Sequence, residues 1–335
     1  MLHRFAIIGC GRIAERHARE IMKHGKLCGV CDIIPEKASK FATLFNTDSF
    51  LSLDELLKEK KPEMVVICTP NGLHAEHAIQ SLNGGAHVLC EKPMSISVKS
   101  AYDMVEAANR AGKKLFIVKQ NRYNPPVQLV KNYISEGKLG KIFGFQVNCF
   151  WNRPTEYYTD SWHGSNAMDG GILFTQFSHF IDLLYWLLGD IKEVSGWRKN
   201  DAHKDVIEFE DAGIAIILME NGAMGTLNYT INTFKQNMEG SVTIFGENGT
   251  IKIGGQYLNK LSFFSVLNES VPELAPGNPP NQYGSYEGSM SNHDKMYENL
   301  IKGFGDPGHS FLEAAEAIKT ITIIEKIYAS SSFRQ

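Results

Sequence analysis

The sequence predicts an α/β protein of two domains: an N-terminal doubly wound parallel sheet, then a C-terminal α/β domain with an open, mostly antiparallel sheet. Three observations predict it. Short apolar runs alternate with amphipathic stretches through the first 120 residues. A glycine turn joins the first run to the first amphipathic stretch. After Pro125 the pattern changes to long alternating runs whose turns carry Asn or Gly.

The first-domain strands are "RFAIIG" (4–9), "LCGVCD" (27–32), "MVVICTP" (64–70), "HVLCEKP" (87–93) and "KLFIVKQ" (114–120). Helical patterns fall between them at about 12–24, 36–45, 52–59, 74–84 and 97–112. This alternation implies right-handed βαβ crossovers and hence a parallel sheet. A helix follows at 126–137, then strand-like runs at 141–151, 191–199, 206–219, 222–232, 241–246 and 249–254, with hairpin turns such as "GENGT". A helix at 174–188 interrupts them, and two more lie at 290–304 and 311–329. The segment 270–289, rich in Pro, Gly, Asn and Ser, reads as a long loop of the kind used for lids or binding. The expected domains are 1–121 and 122–335.

Composition narrows the function classes. The 335 residues are 43% hydrophobic and 21% charged, as in an ordinary soluble globular protein. A net charge of −3 gives no basic field for nucleic acid or an anionic membrane. The longest apolar run, 180–189, is about half a membrane span. Residues 2–9 are too short to be a secretory signal. Most of the six cysteines lie in apolar, strand-like runs, where cysteine acts as a small hydrophobe in a reducing cytoplasm. Cys28 and Cys31 form a C-x-x-C inside a strand pattern, without the partners a metal site needs, so no metal is expected.

"AIIGCGRIAERHA" carries Gly9-x-Gly11-x-x-Ala14, the Rossmann fingerprint. Gly9 permits the tight turn, Gly11 lets the backbone approach a pyrophosphate, and Ala14 permits close helix–strand packing. The helix starting near Arg12 and Ile13 aims free N–H groups at the phosphates. Asp32 closes the next strand, where a carboxylate holds ribose hydroxyls and repels a 2′-phosphate. Ile33 and Ile34 follow rather than an arginine, so NAD is expected over NADP.

Ligands of an open α/β sheet bind beyond the carboxyl ends of its strands. Thr69, Pro70 and Asn71 end one strand there, before a helix carrying His74 and His77. Glu91, Lys92 and Pro93 end another. A lysine at that edge can hydrogen-bond a substrate hydroxyl, and Pro93 stiffens the turn that holds it. Downstream, Gly170 and Gly171 permit an unusual turn. Thr175, His179 and Asp182 then follow at helical spacing. Histidine, with an unperturbed pKa of ~6.5, suits proton transfer near neutral pH.

Together "GCGRIA", Asp32, "CTPNGLHAEHA", "CEKP" and "GG-x(7)-H-x-x-D" resemble the glucose–fructose oxidoreductase / inositol dehydrogenase (Gfo/Idh/MocA) family through nearly the whole chain. The resemblance implies a hydroxyl-oxidising dehydrogenase that is a homo-oligomer, dimer or tetramer. It makes Lys92 the residue that positions the reacting hydroxyl and His179 the residue that takes its proton. Many family members carry Asp or Asn where this chain has Thr175. Threonine cannot act as a base near neutral pH, so the proton falls to His179, with Thr175 and Gln176 orienting substrate. The expected cofactor contacts are Gly9, Gly11, Arg12, Ile13, Asp32, Thr69, Pro70, Asn71, His74, Glu91, Lys92 and Gln120.

The stretch 149–171 concentrates Arg153, Tyr157, Tyr158, Trp162 and His163, suited to a sugar ring plus an anionic group. With "WNR", "W-x-G", "DGG" and "NH-x-x-x-YEN", the chain looks like the branch that oxidises C3 of UDP-N-acetylglucosamine uronic acid. The expected substrate contacts are Lys92, Arg122, Arg153, Tyr158, Trp162, Thr175, Gln176, His179 and Asn292. Other sugar or cyclitol dehydrogenases are the alternative, and a non-catalytic dinucleotide-binding regulator is a further one.

Overall fold

The computed structural model describes residues 3–159, 161–282, 287–305 and 314–334. They pack as two compact units: Met1–Lys119 with His293–Ile321, and Gln120–Asn292 with Thr322–Gln335. The division therefore is not two consecutive segments, as 1–121 and 122–335 would have it. The segment beginning at His293 packs with the first unit because His293 and Tyr297 meet His17 there.

In the first unit β1 (His3–Ile8), α1 (Arg12–His24), β2 (Gly25–Cys31), α2 (Pro35–Phe45), β3 (Ser49–Phe50) and α3 (Leu53–Lys60) come first. Then follow β4 (Met64–Ile67), α4 (His74–Asn83), β5 (His87–Cys90), α5 (Val98–Ala111) and β6 (Leu115–Ile117). The strands form one sheet in the order β3-β2-β1-β4-β5-β6, parallel throughout. Residues 5–8 of β1 and all of β4 are buried, as strands covered on both faces must be. Two-residue β3 is too short to show in the sequence pattern.

In the second unit α6 (Pro125–Ser135) and β7 (Ile142–Phe150) lead to α7 (Ile172–Thr175) and α8 (Ser178–Leu188). Then come β8 (Ile191–Lys199), β9 (Ala212–Met219), β10 (Met224–Thr230), β11 (Glu239–Gly246), β12 (Gly249–Gly254) and β13 (Lys260–Val266). The hairpin β14 (Pro280–Gln282) and β15 (Glu287–Met290) follows in the same unit, whereas α9 (His293–Gly305) belongs to the first; α10 (Ala314–Ser330) and β16 (Ser331–Arg334) come next. The large sheet has the order β13-β12-β11-β7-β10-β9-β8-β16. Only the β7–β10 and β8–β16 pairs within it are parallel.

Four expectations change. The run 206–219 is strand only from Ala212 onward. Residues before it turn back on His203, and the buried acids Glu210 and Asp211 merely imitate a strand's alternation. The helix expected at 174–188 is broken after Thr175 and restarts at Ser178. The expected loop 270–289 contains part of a hairpin, with 283–286 outside the described residues. The strands β13 and β16 extend the sheet beyond the expected runs. Residues 311–313 of the last expected helix also lie outside the described residues.

Candidate active site

The turn after β1 requires its glycines. Gly9 has φ +88°, and a Cβ there would lie 2.6 Å from the Cys68 carbonyl oxygen. A Cβ on Gly11 would meet nothing within 4 Å, so the backbone is open to an approaching group. Gly11 caps α1 without a side-chain hydrogen bond, so the positive end of the helix dipole meets this turn with no capping side chain. Asp32 follows β2. One carboxylate oxygen accepts the Cys10 N–H at 2.8 Å and the other the Ile34 N–H at 2.9 Å. Its neighbour Ile33 is 84% exposed and offers no charge to a 2′-phosphate. Open glycine backbone, a helix start without a capping side chain and a carboxylate at the next strand end fit a dinucleotide.

Thr69 and Pro70 are half-exposed after β4, with Asn71 buried behind them. The Thr69 hydroxyl lies 3.1 Å from His77 Nδ1. His74, expected at the cofactor, is instead buried: Nδ1 lies 2.7 Å from the Pro93 carbonyl and Nε2 2.9 Å from the Thr69 carbonyl. Its ring ties together the loops after β4 and β5. Burial lowers its pKa, although both carbonyls pull the other way.

Glu91 was also expected at the cofactor, but its carboxylate faces inward. It is 6% exposed, with one oxygen 2.8 Å from His17 Nε2 and 3.5 Å from His293 Nε2. The other oxygen accepts the Lys92 N–H at 3.1 Å. His17 Nδ1 lies 2.8 Å from the Tyr297 hydroxyl. Burial acts to raise the Glu91 pKa, yet the hydrogen bonds of His17 and His293 hold it well below the usual carboxylate range. Burial in turn lowers the pKa of His293. His17, Glu91 and His293 are the one group of metal-ligand type among the described residues, and they are hydrogen-bonded to one another.

Lys92 is thus gripped on both sides. Its own N–H is held by Glu91, the Pro93 carbonyl is held by His74, and the Lys92–Pro93 peptide is cis. Between buried Glu91 and buried Pro93, Lys92 is half-exposed. Sequence reasoning missed His17 and Tyr297 in this support. The signal available was the pair His293 and Tyr297, one helical turn apart on one face of α9.

In the second unit, Gly171 (φ +123°) packs against Tyr328, whose hydroxyl occupies the space of a Cβ. That hydroxyl accepts the Leu173 N–H at 3.1 Å and donates to Glu210 at 2.7 Å. Burial pushes the Glu210 pKa up to about 7. This packing sets the start of α7. Thr175 ends α7 and donates its hydroxyl to the Asp169 carboxylate. Asp169 is a site neighbour that sequence reasoning did not single out.

His179 lies in the first turn of α8, 5% exposed. Its Nε2 is 3.3 Å from Gln120 Nε2, which also donates to the Ser289 hydroxyl at 3.2 Å. With the amide nitrogen as donor, Nε2 is the acceptor of this bond and its one lone pair is engaged by Gln120. The expected cofactor contact Gln120 is therefore a partner of His179. Gln176 is buried, and neither end of its amide has a protein partner among the described residues.

Several expected substrate contacts have structural partners. Arg122 forms a bidentate pair with Asp182, both bonds 2.8 Å, and its guanidinium lies 5.0 Å over the Trp186 ring. That pair anchors α8. Asn292 is fully buried and donates to the Gln120 carbonyl and to Asn124. Arg153 is buried, bonded to Asn237 and placed over the Trp151 and Tyr157 rings. Tyr158 is buried, its hydroxyl without a partner among the described residues. Trp162 stacks on His163 with ring centroids 3.8 Å apart, and His163 lies 4.3 Å from Tyr157. Trp162, His163 and Tyr157 are partly exposed and form an aromatic patch.

Residues 3–119 match the model of the oxidoreductase family with an NAD-binding Rossmann fold, and residues 127–252 match the GFO/IDH/MocA C-terminal domain. The chain belongs to the Gfo/Idh/MocA family. Glucose-6-phosphate 3-dehydrogenase of Bacillus subtilis is 33% identical to it over 100% of this chain and 98% of its own. The WlbA dehydrogenase of Bordetella pertussis, in complex with NADH and UDP-GlcNAcA, is 34% identical, with a TM-score of 0.88 over 98% of this chain and 96% of its own. WlbA of Chromobacterium violaceum, with the same two ligands, is 34% identical with a TM-score of 0.89 over 98% of this chain and 93% of its own. The protein is an NAD-dependent dehydrogenase. No helix among the described residues is long and apolar enough to cross a membrane.

Proposed function

We propose that the protein oxidises the C3 hydroxyl of UDP-N-acetylglucosamine uronic acid. The observation that carries this reading is likeness over 98% of the chain to two dehydrogenases, each crystallised with NADH and UDP-GlcNAcA. The aromatic patch of Tyr157, Trp162 and His163 supports it, since stacked rings suit a nucleobase or sugar face.

Gly9, Gly11, the start of α1 and Asp32 hold NAD, with Thr69, Pro70 and Asn71 beside it. When bound, NAD supplies the acceptor for the C3 hydride. Lys92, with its backbone fixed by Glu91 and His74, donates a hydrogen bond to the C3 oxygen and favours its developing negative charge. His179 takes the hydroxyl proton. Arg122 and Asp182 keep α8, and so the imidazole, in place.

A second reading is oxidation of the same carbon of a simpler sugar phosphate, favoured by the full-length likeness to a glucose-6-phosphate 3-dehydrogenase. The test is NADH absorbance with UDP-GlcNAcA, glucose 6-phosphate and myo-inositol. The proposal predicts the highest kcat/KM for UDP-GlcNAcA; turnover of glucose 6-phosphate alone overturns it.

We read the protein as a homo-oligomer of the cytoplasm. One face of the large sheet carries exposed Trp197, Ile214, Ile216, Met224, Phe245 and Phe263 on β8, β9, β10, β11 and β13. An apolar face of this breadth suits a second copy. All six cysteines are free thiols, which suits a reducing compartment.

A further inference from the structure

Distant stretches of the second unit meet at Tyr328 of α10. Its hydroxyl accepts the Leu173 N–H at 3.1 Å and donates to Glu210 Oε1 at 2.7 Å. The Tyr328 ring packs on Phe174, with centroids 5.9 Å apart, and carries the Arg198 guanidinium 4.8 Å from its centroid. Glu210 is 0% exposed, and its Oε2 lies 3.6 Å from Arg198 Nη1. The direction of the two hydroxyl bonds is fixed. A backbone N–H only donates, so the Tyr328 oxygen accepts there and gives its single hydrogen to Glu210. Burial holds the Tyr328 pKa well above its usual value, so that hydrogen stays on the hydroxyl. A carboxylate at the end of this chain of bonds polarises the hydroxyl and makes its oxygen the better acceptor for Leu173. Leu173 lies in the first turn of a four-residue helix, too short to persist by its own hydrogen bonds. The Ile172 carbonyl accepts the Phe177 N–H at 3.0 Å, and the Phe177 carbonyl accepts the Phe180 N–H at 2.9 Å. A shift at the start of α7 is therefore passed along the backbone to the first turn of α8, where His179 sits.

We propose that Glu210 is a positioning residue: acting through Tyr328, it fixes the start of α7 and so the placing of His179 that turnover needs. The inference rests on the reading of His179 as the base, but not on which sugar is used. The role depends on charge. Burial pushes the Glu210 pKa up to about 7, while Tyr328 and Arg198 pull it down. The charged and titratable groups around it are Tyr328 on α10, Arg198 on β8, Tyr229 on β10 and Tyr158 in the segment before α7. Above neutrality Glu210 is a carboxylate and holds the Tyr328 hydroxyl firmly; the neutral acid at lower pH holds it less well.

The test measures kcat, the NAD dissociation constant and backbone hydrogen exchange at Leu173 in wild type, Tyr328→Phe, Glu210→Gln and the double variant. The substrate is whichever of UDP-GlcNAcA, glucose 6-phosphate and myo-inositol the wild type oxidises fastest. Tyr328→Phe should lower kcat roughly 10- to 100-fold, with NAD bound within about 3-fold of wild type. Its Leu173 N–H should exchange at least about 5-fold faster. Glu210→Gln keeps an oxygen for the hydroxyl but not the charge. The ratio of wild-type to Glu210→Gln kcat should be about 3- to 10-fold at about pH 8.5 and within about 2-fold at about pH 5.5, because only the wild type loses a charge between them. Taking the ratio cancels the titration of His179. The double variant should fall no further than Tyr328→Phe, since Glu210 then has nothing to act through. A ratio that stays flat with pH would show that Glu210 is only structural, and losses that multiply would show that it acts by another route; either result overturns the proposal. So would wild-type exchange at Leu173 in Tyr328→Phe. Should that variant not fold, the pH dependence of the Glu210→Gln ratio decides alone. A wild type inert on UDP-GlcNAcA overturns the substrate reading and not this one. The cycle is then read on the sugar that is oxidised or, with none, on Leu173 exchange.

Discussion

Replacing Glu91 by Gln tests the support beneath Lys92. The carboxylate accepts on both oxygens: one faces His17 Nε2 at 2.8 Å and His293 Nε2 at 3.5 Å, and the other accepts the Lys92 N–H at 3.1 Å. A glutamine of the same shape has one oxygen and one NH2 group, so it can accept on only one of these two sides. On the other side a donor then faces a donor. An unsatisfied buried group costs roughly 1–3 kcal/mol, and loss of charge assistance at the retained bond adds about 1 kcal/mol. We expect Glu91→Gln to destabilise the protein by about 2–4 kcal/mol at pH 7, measured by urea unfolding. The pH dependence has a definite sign. The folded pKa of Glu91 is depressed, so its contribution is complete above the unfolded value of about 4.3 and is lost as pH falls through the folded one. His293, also held low, contributes above about pH 6.5 and loses that contribution as pH falls. Both effects weaken the fold in acid, and the gap between wild type and variant should narrow below about pH 4. A variant within about 0.5 kcal/mol of wild type at pH 7, with an unchanged pH dependence, would refute the reasoning.

Other consequences follow from single residues. Asp32→Ser with Ile33→Arg should shift cofactor preference toward NADP by roughly 100-fold in kcat/KM, because a repelling carboxylate gives way to a phosphate-binding cation; an unchanged NAD to NADP ratio would remove Asp32 from the ribose site. Arg122→Met should destabilise the protein by about 3–5 kcal/mol in urea unfolding, since it leaves the Asp182 carboxylate buried without its bidentate partner. The double change Arg122→Met with Asp182→Leu should recover much of that loss, and no recovery would mean that the pair is not the anchor of α8. Ile216→Lys should lower the mass seen by light scattering if the apolar sheet face joins copies; an unchanged mass would move the interface elsewhere.

Much of the fold was legible because its signals are local. The turn at Gly9 and Gly11, the carboxylate at Asp32 and the strand ends at Thr69 and Lys92 each sit within one βαβ unit, where periodicity and glycine position speak directly. The break between Thr175 and Ser178 was not legible. "FTQFSHF" keeps helical spacing across it, and the cause of the offset is Tyr328, far along the chain, packed on Gly171. The Glu91 support was hidden for the same reason: His17 and Tyr297 are 280 residues apart. Arg122 stood among the expected substrate contacts, and its pairing with Asp182 did not show in the sequence because the two are 60 residues apart. Residues 206–211 imitate a strand, since buried acids at Glu210 and Asp211 break the rule that alternation of polarity reports alternation of burial.

The central claim is that Lys92 and His179 perform the chemistry while other residues hold the cofactor. Stopped-flow NADH formation, with NAD binding measured separately by protein fluorescence, tests it most directly on wild type, Lys92→Ala and His179→Ala. The account predicts NAD dissociation constants within about 3-fold of wild type and at least ~1,000-fold slower NADH formation in both variants. Hydride transfer at close to the wild-type rate in either one would contradict it.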